Sequence, residues 1–185
     1  MNTRIEKDFF FQCGVHFKNE YYINNYDIVL SFLVETDSMH EQNIAMERVV
    51  HYVTNVLQNA VLVESTQEDT INLYKAAKMK ICELPQEPYD QIFGMVLLLK
   101  LNSIMEGRMK ITDMIMGSML SDGVRYSIVA EVAESALSGK HWWNRSNICL
   151  SDNDLKCPNG DNILKLFSDN KWSDLDLQWK EKSKK

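Results

Sequence analysis

An acidic and aromatic cluster at Glu87, Tyr89 and Asp90 is the part of the sequence best suited to binding chemistry. Pro88 lies inside the cluster and favours the first turn of a helix, because proline has a fixed φ and no N–H to lose. Carboxylates held at a helix N-terminus tend to stay ionised, which suits recognition of cations or hydrogen-bond donors better than acid catalysis. The alternative is that Glu87 and Asp90 only cap the helix while Tyr89 packs beside it.

Gln12 and His16 complete the set of candidate ligand-binding residues. They share one face of a predicted strand from Phe9 to Phe17, because alternate side chains of a strand point the same way. We expect them to meet Glu87, Tyr89 and Asp90 at a junction between subunits. The sequence assigns no catalytic residue.

Spacing argues against a metal centre. Cys13 and His16 are three residues apart on a strand and therefore point to opposite faces. His40 and His51 lie on one predicted helix, about 16 Å apart by helical rise. The remaining potential ligands show no metal-binding spacing: His141, Cys149, Cys157, Asp152 and Asp154. We predict no metal and no cofactor.

Motifs for nucleophilic or phosphate chemistry do not occur in the sequence. Gly117-Ser118 and Ser121-Asp122-Gly123 do not form the G-x-S-x-G turn of a nucleophile elbow. Neither G-x-G-x-x-G nor a Walker loop is found, and glycine contributes only 7 residues of 185, so a glycine-rich phosphate cradle is nearly excluded. We therefore favour a role that is not catalytic.

The composition is that of a soluble globular protein. The chain has 45% hydrophobic and 25% charged residues and a net charge of −6, which argues against general nucleic-acid binding. Lys140 to Arg145 does interleave basic residues with Trp142 and Trp143, as single-strand binders do, but the two rings are equally suited to anchoring the C-terminal part on the sheet. Four cysteines and no apolar leader predict free thiols and a cytoplasmic location.

The pattern of the chain predicts an α+β core domain over residues 1–137 and a Trp-rich, irregular or helical appendage over 138–185. The appendage is expected to pack on the core or on a partner subunit. Two hairpins form a mainly antiparallel sheet: Phe9–Phe17 with Tyr26–Glu35, joined near Asn24-Asn25, and Met109–Met116 with Val124–Val132. Two longer helices, 39–59 and 88–106, pack on one face. Between them, Val61–Val63, a short helix and Lys78–Leu84 suggest a parallel crossover.

Both faces of the predicted sheet carry apolar residues. Beside the core face, the second face holds Phe10, Val29 and Leu33 and is joined by Thr112, Met114 and Met116. Because exposed apolar patches of this extent are unusual on monomers, we predict a homo-oligomer. No run of apolar residues is long enough for a membrane span. A small-molecule ligand remains compatible with these features.

The order hairpin, helices, hairpin over Phe9 to Val132 is similar to that of the tunnelling fold of pterin- and purine-handling enzymes, and equally to a ferredoxin-like arrangement. The first resemblance implies sheets that close into barrels on oligomerisation, and a site between subunits. The chain departs from the zinc-dependent members, because the first hairpin contains only His16 and lacks a His-x-His on the next strand. The segment from Val61 to Leu84 is a further departure, so no activity is transferred.

Overall fold

The computed structural model describes residues 4–155 and Trp172, and the structural statements below concern these residues. Six strands form one sheet: Arg4–Phe17 (β1), Glu20–Val34 (β2), Val61–Glu64 (β3), Ile81–Leu84 (β4), Met109–Ser118 (β5) and Arg125–Val129 (β6). Four α-helices accompany it: Met39–His51 (α1), Glu68–Ala76 (α2), Asp90–Met105 (α3) and Ala130–Ala136 (α4). A π-helical segment, Tyr52–Leu57, continues α1.

The sheet order is β4-β3-β1-β2-β5-β6. The pairs β1–β2, β2–β5 and β5–β6 are antiparallel, while β1–β3 and β3–β4 are parallel. The α+β class with a mainly antiparallel sheet is therefore confirmed. The predicted crossover between two parallel strands is also present, with α2 as its helix.

The helices α1 and α3 cover one face of the sheet and enclose the main core. α3 is apolar on nearly all sides, and ten of its residues are buried, including Phe93 and Leu98. Facing it, β1 and β2 contribute Phe11, Ile28 and Phe32. Within residues 4–155 and 172, no helix is both long and apolar enough to cross a membrane.

The opposite face is covered only in part. α2 packs there over β3 and β4, where Ile71 meets Val61 and Val63 in a second, smaller cluster. Tyr74 of α2 also contacts His16 of β1 and Tyr21 of β2. Over the rest of β1 and β2, and over β5 and β6, no described element covers this face, and Phe10 is 77% exposed. We call this uncovered region the open face; its apolar residues are Phe10, Ile23, Val29, Leu33, Ile115 and Val129.

The turn of the first hairpin lies at Lys18-Asn19, so its predicted position at Asn24-Asn25 is wrong. Both turn residues have positive φ, 49° and 63°, as a tight two-residue hairpin turn requires. Asn24 instead lies within β2, where it pairs with Cys13 and is 1% exposed. The predicted strand to Val132 also ends early, because the chain enters α4 at Ala130.

The faces of β5 differ from the expectation too. Met114 and Met116 are fully buried on the helix side, whereas Ile115 is on the open face. Met114 and Met116 pair with Ile128 and Tyr126 of β6, which also lie on the helix side, and this pairing sets their face. The register shift between Ser31 and Phe32 of β2 places Ile111 on the same side, because an irregularity of one residue exchanges the two faces of a strand.

The segment after α4 packs against α3 and not on the open face. Trp142 and Trp143 are 2% and 4% exposed and belong to the main core. The Lys100 ammonium of α3 is buried beneath this segment, where it donates to the backbone oxygens of Trp142, Arg145 and Asn147 at 3.0, 2.8 and 2.6 Å. The two indole rings are therefore not accessible for stacking on nucleic-acid bases.

Candidate functional site

A cavity of about 330 Å³ opens at one end of the sheet, beside the N-terminus of α3. The turn of the first hairpin, the loop before α3 and the turn between β5 and β6 meet there. These three segments are far apart in sequence and are brought together by the β1–β2–β5–β6 pairing. The lining residues are Val15, Phe17, Tyr22, Asn24, Pro88, Tyr89, Asp90, Gln91, Leu120, Ser121 and Tyr126.

Asp90 is the charged residue of this lining. It is the first residue of α3, yet its carboxylate accepts a hydrogen bond from Ser118 Oγ at 2.6 Å, at the end of β5. The Ser118 hydroxyl in turn accepts from the Ser121 backbone N–H at 3.2 Å, which fixes the β5–β6 turn against the helix. Partial burial raises the pKa of the Asp90 carboxyl, and the hydrogen bond from Ser118 opposes this shift.

Tyr26 lies directly behind Asp90 and is 2% exposed. Its ring stacks on Phe11 at 5.3 Å and meets Phe93 edge-on at 5.0 Å, so the side chain is held in place by the core. The hydroxyl lies beside the Asp90 and Asn24 side chains and interacts with both. Burial, with the nearby Asp90 charge, raises the pKa of Tyr26 well above its usual value.

Aromatic side chains form the mouth of the cavity. Phe17 and Tyr89 meet edge to face with ring centroids 5.1 Å apart, and Tyr89 is 48% exposed. The hydroxyl of Tyr22 donates to the Glu20 carboxylate, and that of Tyr89 bonds Glu87 in the same way. These hydrogen bonds raise the pKa of both phenols, so the two rings stay neutral. The mouth is therefore aromatic with an acidic rim.

The structure brings some of the predicted site residues together and separates others. Tyr89 and Asp90 line the cavity, and Glu87 is bonded to Tyr89 at its edge. Tyr89 is the N-cap of α3 and makes no side-chain capping bond, while Asp90 is the acidic residue of the first turn. Gln12 and His16 point to the opposite side of the sheet, where Gln12 Nε2 donates to Asn25 Oδ1 and His16 Nδ1 lies 2.9 Å from Tyr74 Oη.

A second cavity, of about 310 Å³, lies between β4, α4 and the segment at 138–152. His141 lines it, pairs with Asp152 at 3.0 Å and stacks on Trp143. Cys149 is buried and 3.4 Å from Lys100 Nζ, while Cys157 lies outside the described residues. In the described part of the chain, no three His, Cys, Asp or Glu side chains are placed to hold a metal ion.

Sequence reasoning missed Asn24, Tyr26 and Ser118, which surround the Asp90 carboxylate. One signal was present: Tyr22, Asn24 and Tyr26 alternate along β2 with the same face as Ile28 and therefore point toward the core. A polar residue at such a position needs a hydrogen-bonding partner. Asn24 has one, since its Oδ1 accepts from the Leu120 backbone N–H at 3.1 Å.

Comparison with known proteins assigns no family to the chain. No model of a known protein family matches the sequence, and no curated protein matches it significantly. The features that bear on function are therefore the cavity and the exposed surface.

Proposed function

We propose that this protein is a non-catalytic binding or assembly protein that forms homo-oligomers through the open face of its sheet. The observation that carries the proposal is the exposure of large apolar side chains there: Phe10 is 77%, Val129 41% and Ile115 39% exposed. Val29 and Leu33 add further apolar area between them. Burying such side chains against a partner contributes about 25 cal/mol per Å² of apolar surface.

A second copy of the chain is the occupant that the charges of the open face favour. Two ion pairs flank its apolar centre, Arg4 with Asp113 at 3.0 Å and Arg125 with Asp27 at 2.5 Å. A surface that carries both signs can meet itself across a two-fold axis with opposite charges opposed. A strongly one-signed surface would repel its own copy.

The test is the molar mass of the full chain by light scattering or sedimentation velocity, over a range of concentrations. We expect the wild-type chain to form a dimer or a larger assembly and Phe10→Asp to be monomeric, because the variant places a charge in the apolar centre. Met39→Asp is the matched control, since Met39 is 68% exposed at the start of α1, on the helix side. A wild-type chain that is monomeric at every concentration would overturn the proposal.

A small-molecule enzyme with a site at a subunit interface is the second candidate function, and the cavity at Tyr89 and Asp90 favours it. A site that also used Gln12 and His16 would need them from a second copy, because they lie on the other face of their own sheet. A planar purine- or pterin-like ligand fits the aromatic mouth.

A thermal-shift screen with purines, pterins and nucleotides tests this second candidate. We expect a stabilising compound whose effect is lost in Glu87→Ala, since Glu87 holds Tyr89 at the mouth. Glu131→Ala is the control, because Glu131 is exposed on α4. No shift with any compound class would leave the assembly role as the function.

We also propose a reducing, cytoplasmic location. Cys13, Cys82 and Cys149 are buried and form no disulfide, which supports it. Mass spectrometry of the alkylated, non-reduced protein isolated from its own cell should show four modified thiols after unfolding. A disulfide in that sample would contradict this location.

A further inference from the structure

We infer that the cavity at the N-terminus of α3 binds an organic cation, a protonated amine carried on a compact apolar body, with Asp90 as its counter-ion. The inference rests on the ligand-binding role proposed above and names the ligand's charge and shape. Two features of the cavity carry it: a carboxylate without a cationic partner and the aromatic walls.

The charge of the cavity is negative. Of the lining residues only Asp90 is charged, and no Lys, Arg or His of the described chain forms an ion pair with it. Glu20 and Glu87 add acceptors at the rim through their bonds to Tyr22 and Tyr89. A partly buried carboxylate without a cation is costly, and a bound ammonium would supply the missing partner.

The hydroxyl of Tyr26 lies behind the carboxylate and is not part of the cavity lining. Together with the hydroxyl of Ser118 it favours the ionised form of Asp90. Both hydroxyls are neutral donors, so the charge of Asp90 still has no positive partner. An ammonium group has three N–H donors and a positive charge, and would supply that partner.

The walls suit the rest of the ligand. Tyr22, Tyr89 and Tyr126 supply aromatic surface, and aromatic faces attract cations through their quadrupole. Phe17 already meets one cation from outside, because Lys18 Nζ lies 5.0 Å from its ring centroid. An anion would meet the Asp90 charge and the negative ring faces, and would be repelled.

The experiment uses three ligands with one body and three charges: 2-phenylethylamine, 2-phenylethanol and phenylacetate. Binding to the full chain is measured by titration calorimetry at neutral pH. We expect the amine to bind at least about tenfold more tightly than the alcohol, the factor expected of a partly buried charge-assisted contact, and phenylacetate to bind least. Asp90→Asn should remove the preference for the amine over the alcohol.

Two further variants separate binding from folding. Tyr89→Leu removes one aromatic wall at a position that is 48% exposed, so we expect a nearly unchanged Tm and weaker binding of the amine; a merely structural role would lower Tm instead. Asp113→Asn makes the same change of charge on the open face and should not affect binding.

Equal affinities for the amine and the alcohol in the wild-type chain would overturn the inference while leaving a ligand pocket in place. Absence of binding by all three at millimolar concentration would also overturn it. Neither result bears on assembly through the open face, which the molar mass measures separately.

Discussion

At the scale of single residues, Lys100 is a buried charge that depends on hydrogen bonds to the backbone. Its ammonium is fully buried and satisfies three backbone oxygens of the segment 142–147. Lys100→Met keeps the length of the side chain but leaves these oxygens without a donor. We expect a loss of about 3 kcal/mol in the free energy of unfolding, or roughly 6–12 °C in Tm for a chain of this length.

Thermal and urea unfolding of Lys100→Met measure this loss, and Lys140→Met is the control because Lys140 is exposed. Desolvation lowers the pKa of Lys100, so in the wild type this group costs stability while it is charged. An unchanged Tm in Lys100→Met would mean that the three oxygens find other partners.

The thiol of Cys13 gives a pH-dependent prediction. Burial raises its pKa from 9.0 to about 12, while the Lys80 charge works in the opposite direction. A raised pKa means that the folded state holds the proton more tightly, so this contribution to stability is present below pH 9.0 and is lost as pH rises toward about 12. Urea unfolding of wild type and Cys13→Ala from neutral to alkaline pH should show a shallower alkaline decline in the variant. Parallel curves would contradict the assignment.

At the scale of elements, the first hairpin depends on a turn that its residues only partly favour. Lys18 and Asn19 both adopt positive φ, which asparagine tolerates and lysine does not favour. Asn-Gly is the preferred pair for such a turn. We therefore expect the double variant Lys18→Asn, Asn19→Gly to raise the free energy of unfolding by about 0.5–1 kcal/mol.

A substitution just after α3 is expected to have the opposite effect, a lower free energy of unfolding. Gly107 has φ +76° with no atom near its missing Cβ, so Gly107→Ala has room but an unfavourable backbone. We expect it to lower stability by about 1 kcal/mol. Chemical unfolding of both variants measures the two effects, and a destabilised Asn-Gly turn would contradict the turn geometry.

The elements that the sequence predicted are those with a strong local pattern. The helices α1 and α3 could be recognised directly from the spacing of their apolar residues. The faces of Met114 and Met116 could not be predicted, because they depend on the register of β5 with β6, where these residues pair with Ile128 and Tyr126. The turn was misplaced because Asn24, a buried strand residue, has the composition of a turn.

For the whole molecule, the candidate site shows why sequence alone was insufficient. Tyr89 and Asp90 are neighbours in sequence and were recognised together. Tyr26 and Ser118 reach Asp90, and Asn24 joins it in the cavity lining, only because β2 and β5 are adjacent in the sheet. Local sequence patterns carry no information on contacts between distant strands. The core-facing position of Asn24 on β2 does indicate that a polar partner lies nearby.

A residue far along the sequence, Trp172, also makes long-range contacts. Trp172 is 8% exposed; its Nε1 donates to Ser146 O at 2.8 Å, and its ring lies 5.2 Å from the Arg48 guanidinium and 6.0 Å from the His51 ring. It thereby joins α1 to the segment after α4. We expect Trp172→Ala to cost about 3 kcal/mol through lost packing, and Trp172→Phe about 1 kcal/mol, since only part of the ring and the hydrogen bond are lost.

Urea unfolding of the two Trp172 variants distinguishes packing from the hydrogen bond. If the ring carries the contact, Phe should recover most of the stability that Ala loses. If both variants lose equally, the Ser146 hydrogen bond dominates, and if neither loses any, Trp172 does not dock on α1 in solution. The same measurements on Arg48→Met, which keeps an apolar stem under the indole but removes the guanidinium and its 2.7 Å ion pair with Glu106, should show a smaller loss than Trp172→Ala.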